Sequence, residues 1–231
     1  MTIVGVVAGQ SKQTTGLYRS YIDAILLAGG TPIVIPAARY EEGALEAVLQ
    51  LVDALLLSGG GDIDPLLYGA RVKTTLDSVD SERDETELRA IEWSRASGIR
   101  VLGVCRGAQM LAIAAGGSLI QDLPAAGFEE HVDPRRNSVY ATLMHPIKVL
   151  PETLTSRVLA GVTEVNSHHH QAVEDPGSLV ATAWTGDGVI EAIEGPGMLG
   201  VQWHPEFLLS TDKEHLRPFQ WLVNGEEAWN E

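Results

Sequence analysis

The stretch Val101-Leu-Gly-Val-Cys-Arg-Gly-Ala-Gln-Met110 decides the fold. An apolar run ends at the only cysteine of the 231 residues, and Gly103 and Gly107 frame it. This is the pattern of a strand that delivers a nucleophile to a sharp turn from which a helix departs. It predicts a strand over 101–104 and a helix from Arg106, with the two glycines allowing close approach of neighbouring backbone. At a helix N-terminus the unpaired N–H groups and the helix dipole favour thiolate over thiol, and Arg106 adds a positive charge. A free cysteine is often only a buried apolar residue, but the glycine frame sets Cys105 apart.

A cysteine nucleophile needs a base. Leu199-Gly-Val-Gln-Trp-His-Pro-Glu206 reads as a strand that ends at His204. Pro205 bars the preceding residue from the helical region, so Glu206 can project to the same side as the imidazole and orient it. Nucleophile, base and orienting carboxylate form an arrangement met on unrelated folds.

A third segment, Ala54-Leu-Leu-Leu-Ser-Gly-Gly-Gly-Asp62, runs an apolar strand into three glycines. Bare backbone N–H groups in such a loop suit an anion. No Gly-Lys-Ser/Thr follows, and Asp62 and Asp64 would repel phosphate, so the oxyanion of an acyl-transfer intermediate is the better match.

Outward from these segments, strands at 2–8, 31–36 and 54–58 alternate with helices at 17–28, 42–52 and 81–97. That alternation predicts a three-layer α/β/α fold with a mainly parallel central sheet, whose ligands bind at the carboxyl ends of the strands. Beyond Gly117, short strands at 118–122, 147–150, 164–167, 179–184 and 189–194 suggest a smaller antiparallel region in the C-terminal half, and a helix returns at 212–224. With no repeat or linker, residues 1–231 read as one domain.

Hydrophobic residues make up 45% of the chain and aromatics 6%, as in ordinary globular α/β proteins. The net charge of −15 argues against a nucleic-acid partner. No basic leader and no apolar stretch of bilayer length appear, which points away from a membrane. A lone cysteine that must stay reduced fits the cytoplasm. The run His168-His-His170 invites a metal reading, but no zinc-type ligand spacing surrounds it, and no metal site is expected.

Taken together, Ser58-Gly-Gly-Gly-Asp-Ile-Asp-Pro-Leu-Leu-Tyr-Gly69, Arg83-Asp-Glu-Thr-Glu87, Gly103-Val-Cys-Arg-Gly-Ala-Gln109, Val165-Asn-Ser-His-His-His-Gln171 and Gln202-Trp-His-Pro-Glu206 resemble the class I glutamine amidotransferase superfamily. Within it the chain is most similar to the γ-glutamyl-γ-aminobutyrate hydrolases of peptidase family C26. The resemblance implies a class I glutamine amidotransferase-like, flavodoxin-like fold. It implies Cys105 as nucleophile, His204 as base and then acid, and Glu206 as its partner. The oxyanion would meet backbone N–H groups of Arg106 and of Gly60 or Gly61. Gln109 and the Ser167, His168 and His169 segment would border the glutamyl group.

The implied activity is hydrolysis of a γ-glutamyl amide through a γ-glutamyl thioester, without a cofactor. γ-Glutamyl-γ-aminobutyrate or a related amine of polyamine catabolism is the leading small-molecule substrate. A glutaminase subunit serving a separate synthetase and a catalytically silent binding protein are the alternatives. The family is also compatible with a homodimer. Arg19, Arg71, Arg83, Arg106 and Arg135 are candidates for binding substrate carboxylates, and the loops at 65–80 and 127–137 are candidate lids. The acidic segment 83–87 reads either as a dipole-favoured helix start or as a wall of the substrate entrance.

Overall fold

Apolar side chains alternate along the central strands so that both faces of the sheet are dry. The computed structural model describes residues 1–10, 14–128, 131 and 141–226. Its strands are β1 (Ile3–Gln10), β2 (Thr15–Gly16), β3 (Thr31–Pro36), β4 (Ala54–Leu57), β5 (Arg100–Val104), β6 (Ser118–Ile120), β7 (His145–Pro146), β8 (Lys148–Val149), β9 (Glu164–Val165), β10 (Ala172–Asp175), β11 (Val180–Trp184), β12 (Ile190–Gly195) and β13 (Met198–Val201). Its α-helices are α1 (Arg19–Leu27), α2 (Ala44–Leu49), α3 (Ser81–Ser97), α4 (Arg106–Ala114), α5 (Leu154–Val158) and α6 (Arg217–Asn224).

Among the described residues, nine strands form the main sheet. β3, β1, β4, β5 and β13 lie side by side and parallel, and β12, β11 and β8 extend the sheet antiparallel, while β2 pairs with the end of β1. On one face Val4, Val6, Leu56, Leu102 and Val104 pack with side chains of α1, α5 and α6. On the other face Val7, Leu55, Leu57 and Val101 pack with α2, α3 and α4. The predicted three-layer architecture is therefore present. The antiparallel region is present as well, in the β12, β11 and β8 edge and in the small pairs β6 with β10 and β7 with β9.

Several element boundaries differ from the sequence reading. α1 begins at Arg19 rather than at residue 17, because Thr15 and Gly16 are drawn into pairing with β1 and Tyr18 stays extended. α2 is shorter than 42–52, since Gly43 at its start takes a left-handed φ of 79°. The expected helix 212–224 is a 3-10 turn, Lys213–Leu216, followed by α6, whose first turn holds Pro218. α5 and β10 were not expected from the sequence. α3 matches its predicted span, capped by the Asp80 side chain on the N–H of Arg83 at 3.0 Å and closed by Gly98 at φ 71°.

β13 ends at Val201, not at His204. Beyond it the backbone of His204 turns to a side chain instead of a strand. The His204 N–H donates to Oδ1 of Asn166 at 2.8 Å, and Nδ2 of Asn166 donates to the His204 carbonyl at 2.9 Å. The loop that carries His204 is thus pinned at the carboxyl end of the sheet, beside the ends of β4 and β5.

Candidate active site

Cys105 sits between β5 and α4 with φ 52° and ψ −107°. A non-glycine residue in that region stores on the order of 1–3 kcal/mol of strain, tolerated only where surroundings over-determine it. Here the Cys105 N–H donates to the Val201 carbonyl at 2.8 Å, and its own carbonyl accepts from Ala108 at 3.0 Å and Gln109 at 3.2 Å. The glycine frame explains the tight turn. A Cβ on Gly103 would lie 2.5 Å from the Gly107 carbonyl oxygen, and one on Gly107 would strike the backbone of Leu57. The helix therefore starts directly against the sheet, with the thiol at its N-terminus.

His204 and Glu206 are both buried. Nδ1 of His204 lies 2.6 Å from Oε1 of Glu206, which fixes the ring with Nδ1 as donor. Burial by itself disfavours the imidazolium, but the charges of Glu206 and Cys105 and hydrogen bonds to both outweigh it. The His204 pKa is held well above the ordinary histidine value. The predicted trio is thus brought together.

Tyr21, on α1, is a residue the sequence reading missed. Its hydroxyl accepts the N–H of Gly59 at 2.8 Å and stands 3.4 Å from Nδ1 of His204. A Cβ on Gly59 would lie 2.5 Å from Cε1 of His204, so the glycine is demanded by the imidazole.

The segment 83–87 turns inward, with Arg83, Asp84, Thr86 and Glu87 buried. Nη2 of Arg83 donates to the Ser58 carbonyl at 2.6 Å, and Nη1 donates to the Gly59 carbonyl at 3.1 Å. Nε of Arg83 pairs with Glu87 at 2.7 Å, and Arg106 pairs with both Glu87 and Asp84. Because a trans peptide points its C=O and N–H in opposite directions, holding the Gly59 carbonyl aims the Gly60 N–H away from Arg83. Among the described residues, nothing accepts the N–H groups of Gly60, Gly61 or Arg106. The glycine loop is clamped from behind by a buried network of two cations and two carboxylates.

Both guanidinium groups are buried and already paired within the protein, although Arg83 and Arg106 also line the wider cleft. Arg19 is exposed and 3.5 Å from Asp23 on the same helix. Arg71 is exposed on the loop at 65–80, and Arg135 lies outside the described residues, as does most of the candidate lid at 127–137. The loop at 65–80 packs onto the glycine loop instead of standing free. Asp77 and Asp62 exchange backbone and carboxylate hydrogen bonds at 2.8 Å, and a Cβ on Gly61 would lie 2.6 Å from the Ser78 carbonyl.

Gln109, His168 and His169 line a small cavity of about 50 Å³ together with Cys105, Gly60 and Gly61. A wider cleft of about 410 Å³, lined by Tyr18, Tyr21 and Arg83 among others, meets it at the same glycines. Gln109 donates to the Gln171 carbonyl at 3.0 Å and to Oε1 of Gln202 at 3.2 Å. Gln202, a second residue missed from sequence, donates in turn to Sγ of Cys105 at 3.7 Å. The Gln109 side chain thus reaches the sulfur through Gln202.

The three histidines face different partners. His168 approaches His204 with ring centroids 6.5 Å apart, and His170 pairs with Asp62 at 2.8 Å. His169 donates from Nδ1 to the Gln171 carbonyl at 2.9 Å, and burial with the charges of His204 and His170 pushes its pKa down to about 4. Ser167 does not line the cavity. Its hydroxyl lies 3.3 Å from His169 and 3.2 Å from His131, among a group that also holds His145 and Glu191. Burial pushes the Glu191 carboxyl up to about 7.

With this geometry established, comparison with known proteins gives a consistent family assignment. The family model described as Peptidase C26 matches residues 3–206. A γ-glutamyl-γ-aminobutyrate hydrolase of Escherichia coli O157:H7 is 34% identical over 221 residues, covering 89% of this chain and 85% of that protein. The protein NtpR of Enterococcus hirae is 34% identical over 222 residues, covering 93% of this chain and 91% of its own. Among solved structures, the glutaminase domain of Trypanosoma brucei CTPS with bound acivicin superposes with a TM-score of 0.63 at 17% identity, over 96% of this chain and 92% of that one. A glutamine amidotransferase of Thermotoga maritima superposes with a TM-score of 0.57 at 13% identity, over 98% and 90% of the two chains. These last two similarities concern the fold.

Proposed function

This chain belongs to the peptidase C26 family, and we propose that it hydrolyses a γ-glutamyl amide with Cys105 as nucleophile. The observation that carries the reading is the strained Cys105 elbow beside a His204 whose ring is anchored by Glu206 at 2.6 Å.

In the first half-reaction the Cys105 thiolate attacks the γ-carbonyl carbon, and the carbonyl electron pair moves to oxygen. N–H groups of Arg106 and of Gly60 or Gly61 receive that oxyanion, each such donor being worth roughly 3–4 kcal/mol. As the tetrahedral centre collapses, the C–N bond breaks and His204 gives its proton to the departing amine. A γ-glutamyl thioester remains on sulfur. His204, now neutral, takes a proton from water, which attacks the thioester, and glutamate leaves with the C–S bond broken. Glu206 stabilises the imidazolium at both stages. No cofactor enters any step.

Gln109, His168 and His169 border the glutamyl group in this reading, with Ser167 positioning His169. The family and the E. coli relative's name support γ-glutamyl-γ-aminobutyrate, or a related γ-glutamyl amine of polyamine catabolism, as substrate. The wider cleft beyond the glycines is suited to the amine portion. A soluble enzyme of a reducing cytoplasm that needs no synthetase, nucleic acid or membrane completes the proposal.

The test is release of glutamate from a panel of γ-glutamyl amines and glutamine by the chain and by Cys105→Ala. Turnover of one amine, poor turnover of glutamine and loss in the variant are expected. Preferential turnover of glutamine would replace the proposal with a glutaminase. Turnover of nothing while Cys105 resists alkylation would point to a silent binding protein.

A further inference from the structure

Away from the sulfur, four buried side chains from four separate segments converge: His131, His145 on β7, His169 and Glu191 on β12. Donor atoms of His131, His145 and Glu191 all lie within 4.8 Å of one another. Nε2 of His145 is 3.8 Å and Nε2 of His169 is 3.7 Å from Oε1 of Glu191. The His131 ring centroid is 5.1 Å from those of both His145 and His169.

The polar atoms of this group are not spent on one another. Among the described residues, neither oxygen of Glu191, neither ring nitrogen of His145 nor Nε2 of His131 has a hydrogen-bond partner, although all three side chains are buried. Buried polar groups of native proteins are normally paired, and a carboxylate left unpaired is among the costliest exceptions. Nothing in the cysteine chemistry calls for such a pocket.

The donor set names what would satisfy it. Imidazole nitrogen and carboxylate oxygen are zinc-type ligands, bound at about 2.0–2.2 Å in a tetrahedron, which places donors about 3.3 Å apart. The 3.7 and 3.8 Å separations from Glu191 need to contract by about half an ångström to meet that spacing, and those among His131, His145 and Glu191, within 4.8 Å, by up to about 1.5 Å. The supporting contacts also fit a ligand sphere. Nδ1 of His169 donates to the Gln171 carbonyl at 2.9 Å, and its Nε2 lies 3.3 Å from the Ser167 hydroxyl and 3.7 Å from Oε1 of Glu191. Metal-bound histidines are commonly oriented by such a second hydrogen bond. Nδ1 of His131 is held near Ser167 at 3.2 Å, and Asp187 stands 3.6 Å from its Nε2.

We propose that His131, His145 and Glu191 bind one divalent transition-metal ion of the zinc type, with His169, 3.7 Å from Glu191, moving in as the fourth donor. With four protein ligands the site is closed and structural. It ties β7 and β12 to the segment 166–171, whose Asn166 holds the backbone of His204. The inference shares His169 with the glutamyl-group border proposed above but does not depend on the reading of Cys105. The absence of zinc spacing within 168–170 is no obstacle, because three of the four ligands come from elsewhere in the chain.

The test removes the competing thiol first. The full chain carrying Cys105→Ser is stripped with a chelator and titrated with zinc, with metal content measured after gel filtration and melting followed with and without zinc. One zinc per chain and a higher melting temperature are expected, with affinity falling at least a hundredfold in His145→Asn and in Glu191→Gln added to that background. Absence of bound zinc at one equivalent, or retention of full affinity by either added variant, overturns the proposal. Should those variants fail to fold without metal, cobalt(II) in the Cys105→Ser chain decides. Intense visible absorption of a four-coordinate nitrogen and oxygen site supports it, and the weak spectrum of a six-coordinate ion overturns it.

Discussion

Tyr21 and Gly59 are joined by a hydrogen bond of 2.8 Å in which the phenol oxygen accepts the glycine N–H, and the same oxygen stands 3.4 Å from the imidazole of His204. One buried hydroxyl thus links the glycine loop to the histidine. Burial and the charge of Glu206 hold its pKa well above the ordinary phenol value, so it remains a neutral donor and acceptor.

Tyr21→Phe leaves the half-buried Gly59 N–H without its acceptor. Stability should fall by about 1–3 kcal/mol, the usual cost of an orphaned buried donor. If the hydroxyl also aligns loop and imidazole, kcat drops about tenfold or more while KM changes little, about 1.4 kcal/mol being one factor of ten. Urea unfolding and steady-state kinetics read the two effects separately, and unchanged kcat would confine Tyr21 to packing.

Arg83 holds the loop from the opposite side through two carbonyl oxygens and Glu87. Arg83→Lys keeps the charge but loses the planar fork that spans all three acceptors. Activity is expected to fall with the fold retained. Glu87→Gln removes a carboxylate from two buried guanidinium groups and should destabilise the chain by about 3–5 kcal/mol. Chemical denaturation of both variants checks this order.

Two glycines at the site are required for different reasons. Gly59→Ala would push a methyl to 2.5 Å from Cε1 of His204, so a folded chain with little activity is expected. Gly107→Ala would drive its methyl into the backbone of Leu57, where no side chain can swing aside, so loss of the fold is expected. Gly186→Ala, with open space at its Cβ, serves as the control and should match the parent in melting temperature and rate.

His204 supplies a pH signature. Its folded pKa is raised, so the stability contributed by its contacts is whole below about 6.5 and is lost as pH rises through the folded value. Glu206→Gln removes the larger of the raising charges and should bring the imidazole titration down, with the alkaline loss of stability reduced. NMR titration of the His204 ring in both proteins measures the displacement, and equal midpoints would refute the assigned cause.

The elements around Cys105 were legible because each is written locally. Gly103 and Gly107 announce the elbow, the glycine run after β4 announces the loop, and Gly98 marks the end of α3. Pro205 announces the extended backbone at His204, which the structure shows at φ −109° and ψ 84°. The end of β13 was not legible, because what stops it is the Asn166 side chain arriving from 38 residues away. Tyr21, Gln202 and the group of His131, His145 and Glu191 were hidden for the same reason. Tyr21 reads as one apolar position of an amphipathic helix until the fold sets it against His204, 183 residues later. Arg83 and Arg106 read in sequence as candidates for binding substrate carboxylates, and only their mutual burial with Asp84 and Glu87 makes them a clamp.

The central claim is that Cys105 carries the γ-glutamyl group between two half-reactions. Its most direct test is acid quenching of the chain during turnover of a γ-glutamyl amide that releases glutamate, followed by mass spectrometry of the peptide that holds Cys105. The account requires one γ-glutamyl group on that cysteine, absent from Cys105→Ala, and lost on treatment with hydroxylamine as a thioester is. Continued glutamate release by Cys105→Ala, or the adduct on a different residue, would contradict it.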